Sequence, residues 1–189
     1  MCNNDLKKNR MIKHIEFPLQ NEYPSYAEMY MKLVKKDGSL IQQLKSSLHK
    51  TKSLINNLSN EELDYRYGKN KWSIKEVLVH IIDDERIYGY RALSFARNDK
   101  TNLPGFEQEN YNLNSDTSER TIENILEEYE ALRLSTITLF NGLSEKSLKR
   151  VGIANGNKAS ARALGYHILG HDLHHIKIIE NLYLKDLRK

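Results

Sequence analysis

His171 and His175 are the residues of this chain best placed to do chemistry. They lie in Gly165-Tyr-His-Ile-Leu-Gly-His-Asp-Leu-His-His-Ile-Lys-Ile-Ile-Glu180. A spacing of four puts both imidazoles on one face of a helix, one above the other. Leu164, Ile168, Ile178, Ile179 and Leu182 fall on the same side of the wheel. Imidazoles in the middle of an apolar stripe are costly unless their nitrogens are satisfied. A transition-metal ion suits this pair, and zinc and nickel both accept imidazole. A pair of core histidines bonded to backbone and tyrosine is the alternative, in a chain with 11 tyrosines.

A catalytic metal site commonly has three protein ligands and one open position. His80 is the candidate third ligand. On the wheel it sits about 100° from the centre of the stripe made by Ile74, Val77, Ile81, Tyr88 and Ala92, so periodicity alone leaves its direction open. His167 and His174 are rivals. Asp84 stands one turn after His80, on the same side of the helix. Glu85 falls inside the apolar stripe and needs an internal partner such as an arginine or a histidine N–H.

The elements that must carry these residues read as helices nearly throughout. Only Pro18, Pro24 and Pro104 interrupt the chain. Residues 1–22 read as a mobile lead-in, and 23–189 as one domain. A short helix is expected over 25–35, with Gly38 as its punctuation. The first long helix is expected over 40–58 on the repeat of Leu40, Leu44, Leu48, Ile55 and Leu58. Ser73-Ile-Lys-Glu76 is a capping box that opens the second, which runs to about residue 97. A long loop over 98–119 contains Tyr111, and loops of that length often border binding sites. The third helix is expected over 121–141. The polar turn at 154–157 leads to the last helix, over 160–184. Four long helices make an all-α four-helix bundle.

Composition narrows the function. The 189 residues are 39% hydrophobic and 29% charged, enough for one domain with a real core. The net charge of +4 is spread among nearly as many acids, which gives no nucleic-acid-binding block. No apolar run reaches the roughly 18 residues of a membrane span. The first residues lack a signal-peptide apolar region, so cytoplasmic residence is the default expectation. Cys2 is the single cysteine, which excludes an internal disulfide and a thiolate-rich metal site. A homodimer is admissible, although no interface signal is visible.

At this point the chain resembles a known family. The stretches Pro24-Ser-Tyr-Ala-Glu-Met-Tyr30, Leu63-Asp-Tyr-Arg-Tyr67, Lys71-Trp-Ser-Ile-Lys-Glu-Val-Leu-Val-His80, Asp84-Glu-Arg86, Tyr90-Arg-Ala-Leu-Ser-Phe-Ala-Arg97, Leu103-Pro-Gly-Phe106, Ala154-Asn-Gly-Asn157 and Gly170-His-Asp-Leu-His-His-Ile176 carry it. Together they are similar to the DinB-like superfamily, also described as YfiT-like metal-dependent enzymes. That resemblance implies a four-helix bundle with one metal on His80, His171 and His175. It leaves Asp84 and Asp172 as candidates for orienting the ligand imidazoles, with solvent exposure as the alternative for each.

Two reactions fit such a site on a small-molecule substrate. A water on the metal would hydrolyse an amide or ester, with Asp84 as the expected general base. A low-molecular-weight thiol such as bacillithiol or mycothiol, used by some relatives, would instead be transferred to an electrophile. Arg86, Arg91 and Arg97 would receive its carboxylates, with Tyr26, Tyr30 and Tyr111 as walls. A non-catalytic stress-response bundle that binds a metal or ligand is the third reading. A fourth protein ligand closing the site would favour it.

Overall fold

The computed structural model describes residues 12–187, so Cys2 and the first half of the lead-in lie outside the described residues. Short 3-10 turns at Gln20–Glu22 and Ser25–Ala27 precede α1 (Glu28–Met31). Then come α2 (Leu40–Ile55), α3 (Asn60–Asp64), α4 (Ile74–Ala96), α5 (Gln108–Leu113), α6 (Ile122–Gly142) and α7 (Glu145–Leu148). A hairpin of β1 (Val151–Ala154) and β2 (Asn157–Ser160) leads into α8 (Ala161–Ile178). A π-helical turn, Ile179–Tyr183, joins α8 to α9 (Leu184–Leu187).

The expected bundle is present: α2, α4, α6 and α8 are the four long helices, and α4 packs most extensively on α8 and next on α6. The capping box forms as read. Ser73 Oγ accepts from the Glu76 backbone N–H at 3.2 Å, and a Glu76 carboxylate oxygen accepts from the Ser73 N–H at 2.6 Å. These bonds satisfy two orphan donors and fix where α4 begins.

Three segments differ from the sequence reading. Residues 12–22 are docked: Ile15 is fully buried, its N–H donates to the Gly38 carbonyl, and its carbonyl accepts from the Tyr166 hydroxyl at 2.6 Å. Arg162 holds the same segment through Glu16 and Glu22. The long loop contains α5 and a 3-10 turn at Thr117–Glu119, and it is tied down by Leu103, which exchanges backbone bonds with the hairpin at Ile153 and Asn155. The polar turn is the tip of the hairpin. Asn155 and Gly156 both have positive φ, 50° and 71°, as a two-residue turn of this hand requires. The four-residue strands are too short for their alternation to show in the sequence.

The core has two apolar halves. Leu40, Leu44, Ala92, Phe95, Phe140, Leu164 and Leu169 belong to one, and Leu48, Ile55, Ile74, Ile81, Ile125, Ile176 and Ile179 to the other. Between them each long helix contributes buried polar groups: Ser47 and Thr51, then His80, Asp84 and Glu85, then Arg133 and Thr136, then His167, His171 and Asp172. A polar layer therefore crosses the middle of the bundle, and the chemistry lies in that layer.

Candidate metal centre

The open question about His80 has a definite answer. It faces α8, and its Nε2 lies 3.1 Å from Nε2 of His171. His175 Nε2 lies 3.2 Å from the same atom. His80 and His171 are buried, and His175 is partly buried. Among the described residues, these three alone form a group whose ligand atoms all converge, within 4.8 Å of one another.

Three imidazole nitrogens this close are held either by ring N–H···N bonds or by a shared cation. Burial, followed by the neighbouring histidines, holds His171 well below the usual histidine range. The same causes bring His175 down to about 3. Burial also lowers His80, against the opposing pull of Asp84 and Glu109. At neutral pH the cluster is therefore uncharged; each close pair is a ring N–H···N hydrogen bond when Nε2 carries the proton, and a pair of inward lone pairs suited to a cation when Nδ1 carries it. Zinc–imidazole bonds of about 2.0–2.1 Å in tetrahedral geometry separate the nitrogens by about 3.3 Å. The 3.1 and 3.2 Å edges that His171 makes match that spacing, and the three ligand atoms together span up to 4.8 Å, so the His80–His175 edge would close on a bound ion.

The surroundings orient the rings. Asp84 Oδ2 is buried and has no hydrogen-bond partner. Its nearest polar neighbours are His171 Nδ1 at 3.5 Å and His167 Nε2 at 3.7 Å. It therefore faces the side of the His171 ring opposite the converging nitrogens. His167 stacks on Tyr88 with centroids 3.8 Å apart, which takes it out of the ligand group. Tyr30 packs edge-on against His167, His171 and His174. Trp72 lies 4.9 Å from the His80 ring.

Other sequence candidates go elsewhere. Glu85 finds the arginine it needed, Arg133, at 2.8 Å, and both are fully buried. Asp172 is fully buried and also belongs to this network, accepting from Arg133 and from the Tyr129 hydroxyl. No hydrogen bond joins it to a ligand imidazole among the described residues: Arg133 and Tyr129 take its Oδ2, and its Oδ1 is buried without a partner. Arg86 is exposed and bonded to Glu128. Arg97 is exposed at the end of α4. Tyr111 is half exposed, packs on Phe106 and lines no cavity that the ligand histidines touch.

Two cavities reach the histidines. One, about 270 Å³, is lined by Tyr26, Tyr30, Asp84, Tyr88, Glu107, His167 and His171. The other, about 200 Å³, is lined by Lys71, Trp72, Glu109 and His175 among others. Gln108 borders both. Gln108 and Glu109 were not singled out in the sequence, because nothing in the composition of the loop marks α5 as folding over the site. Arg133 did leave a signal: it stands four residues after Tyr129, on the inward stripe of α6.

Comparison with known proteins agrees with this fold. A protein of Oceanobacillus iheyensis named "Putative metal-dependent hydrolase OB0413" is 27% identical over 143 residues, 74% of this chain and 81% of its own. The structure of YfiT from Bacillus subtilis, described as a probable metal-dependent hydrolase with an unusual four-helix bundle topology, superposes with a TM-score of 0.67 at 14% identity. It covers 90% of this chain and 94% of its own. The family model of the DinB superfamily matches residues 43–179, which include all three histidines, and the chain belongs to that superfamily.

Proposed function

We propose that this protein is a metal-dependent hydrolase acting on an amide or ester of a small molecule, with the metal on His80, His171 and His175. The observation that carries the reading is the convergence of three uncharged imidazoles, His171 bordering one cavity and His175 another, with no fourth ligand atom joining the group among the described residues. A closed structural site would have that fourth ligand. Zinc or nickel suits the donor set. Such an ion supplies Lewis acidity, polarising a carbonyl and bringing the pKa of water from about 15.7 toward about 7.

The chain's own groups have separable tasks. Asp84 is a positioning residue. Its Oδ2 addresses His171 Nδ1, which favours the proton there and leaves Nε2 free as a ligand. This replaces the base role expected for it, because the imidazole stands between Oδ2 and the converging nitrogens. Glu109 is the better base: it shares a cavity with His175, and its charge acts on His80. Tyr88 keeps its proton, since burial pushes its hydroxyl far up, and it serves as a neutral wall. Thiol transfer has less support. Arg86 and Arg97 are exposed away from the ligand histidines, which leaves Arg91, in the slot beside the 270 Å³ cavity, as the one of the three expected arginines placed to receive a carboxylate.

The test is metal content by elemental analysis on untagged protein, followed by 4-nitrophenyl ester and anilide hydrolysis with zinc, nickel or manganese. About one ion per chain, lost in His171→Ala together with hydrolysis, is the expected result. Consumption of a low-molecular-weight thiol with an electrophile, without hydrolysis, would replace the reading with the transferase. Absence of metal after incubation with all three ions would overturn both.

A further inference from the structure

Three arginines of the described residues are buried, and they are not alike. Arg133 is paired with Glu85 and Asp172, and Arg162 with Glu16 and Glu22. Arg91 is 5% exposed, yet no carboxylate stands within ion-pair distance of it among the described residues. Its one hydrogen bond runs from Nη2 to the Pro104 carbonyl at 2.9 Å. Its guanidinium lies over the Tyr88 ring, 4.8 Å from the centroid. A buried cation without a counter-ion is costly, and a structural clasp on one carbonyl would need no charge.

The position of Arg91 gives the charge a use. It lines a narrow slot whose walls include Tyr26, Tyr88 and His167, and these three also line the 270 Å³ cavity at the metal centre. On α4 the series His80, Asp84, Tyr88, Arg91 therefore runs from the ligand to the cation along one side. Arg91 is eleven residues beyond His80, on the order of 16 Å at about 1.5 Å per residue, and its side chain reaches back over the Tyr88 ring, which shortens the span to the guanidinium. We propose that Arg91 is the anchor for a carboxylate on the substrate, so that the natural substrate is an acid whose reacting carbonyl lies roughly 10 Å from its carboxylate. The slot is about 20 Å³, room for a terminal carboxylate and no larger group, and a guanidinium fork suits a planar carboxylate. The inference rests on the metal-centre cavity being the reaction chamber.

The test separates the two claims by measuring binding apart from turnover. Metal-loaded protein is titrated calorimetrically with 6-phenylhexanoate and with its neutral analogue 6-phenylhexan-1-ol. The acid is expected to bind about 10- to 100-fold more tightly, the range for a charged hydrogen-bonded contact. Arg91→Met should remove that difference and leave the alcohol unchanged, while Arg91→Lys, which keeps the charge, should retain part of it. Equal binding of acid and alcohol by wild type, or no binding of the acid, overturns the proposal. So does an Arg91→Met protein that still prefers the acid, since the carboxylate would then be held elsewhere, or one that loses both ligands equally. Hydrolysis of 4-nitrophenyl octanoate and mono-4-nitrophenyl suberate is then compared. Equal turnover of the two with no preference at Arg91 leaves the hydrolase standing and removes the anchor. Tight, Arg91-dependent acid binding without hydrolysis leaves the anchor and removes the hydrolase.

Discussion

At the scale of single residues, the decisive distinction is between groups that hold a ligand and groups that hold a holder. Asp84 is the clearest case of the second kind. It was legible in the sequence as a neighbour of His80, one turn on, but its partner is His171 on another helix, and no spacing within α4 could announce that. The role predicts a particular split. Asp84→Asn should weaken metal affinity by about 10- to 100-fold, as loss of an orienting carboxylate does. Its kcat at saturating metal should stay close to wild type. Metal titration by competition with a chromophoric chelator, paired with kinetics at excess metal, checks both halves. Unchanged affinity with a collapsed kcat would instead return Asp84 to the role of base.

At the scale of elements, helix α8 had the strongest signature and α5 the weakest. The i, i+4 spacing put His171 and His175 on one face because the two share one helix, while Leu182, read into the same stripe, is exposed in the π-helical turn beyond it. His80 was ambiguous for the opposite reason: its direction depends on how α4 packs against α8, which is a tertiary fact. The hairpin and α5 escaped because four- to six-residue elements have too few positions to show a period. One close approach between elements makes a prediction. Gly170 lets α1 sit against α8, and a Cβ there would come within 2.6 Å of the Tyr30 carbonyl oxygen and 2.8 Å of its carbon. Backbone cannot swing aside as a side-chain tip can. Gly170→Ala should therefore cost about 1–3 kcal/mol, the range for overpacking. It should also displace Tyr30 from the histidine rings it contacts. Chemical denaturation gives the first quantity, and metal affinity reports the second. A variant as stable as wild type would show that α1 is free to move.

At the scale of the whole molecule, the polar layer between two apolar halves makes stability depend on protons. The three histidines have pKa values lowered on folding, the partly buried His175 to about 3. In the unfolded chain each takes a proton near pH 6.5. Between that pH and the folded values, the unfolded state binds protons that the folded state refuses, so stability falls as pH falls. The full contribution is present above about pH 6.5 and erodes below it, by up to about 1.4 kcal/mol per pH unit for each histidine. Partly exposed carboxylates such as Glu22 and Glu76 also have lowered values, but their contribution is lost only as pH drops below the ordinary carboxylate value of 4.5. In the interval from pH 6.5 to 5 the histidines, His174 included, therefore dominate, opposed by Asp83, whose carboxyl burial pushes up. Urea denaturation of metal-free protein across that interval should show stability falling steadily, and His175→Gln should shed about one histidine's share of the slope. A metal-free protein equally stable at pH 6.5 and pH 5 would mean that the imidazoles accept protons in the folded state. The lone-pair cluster that calls for a cation would then not exist.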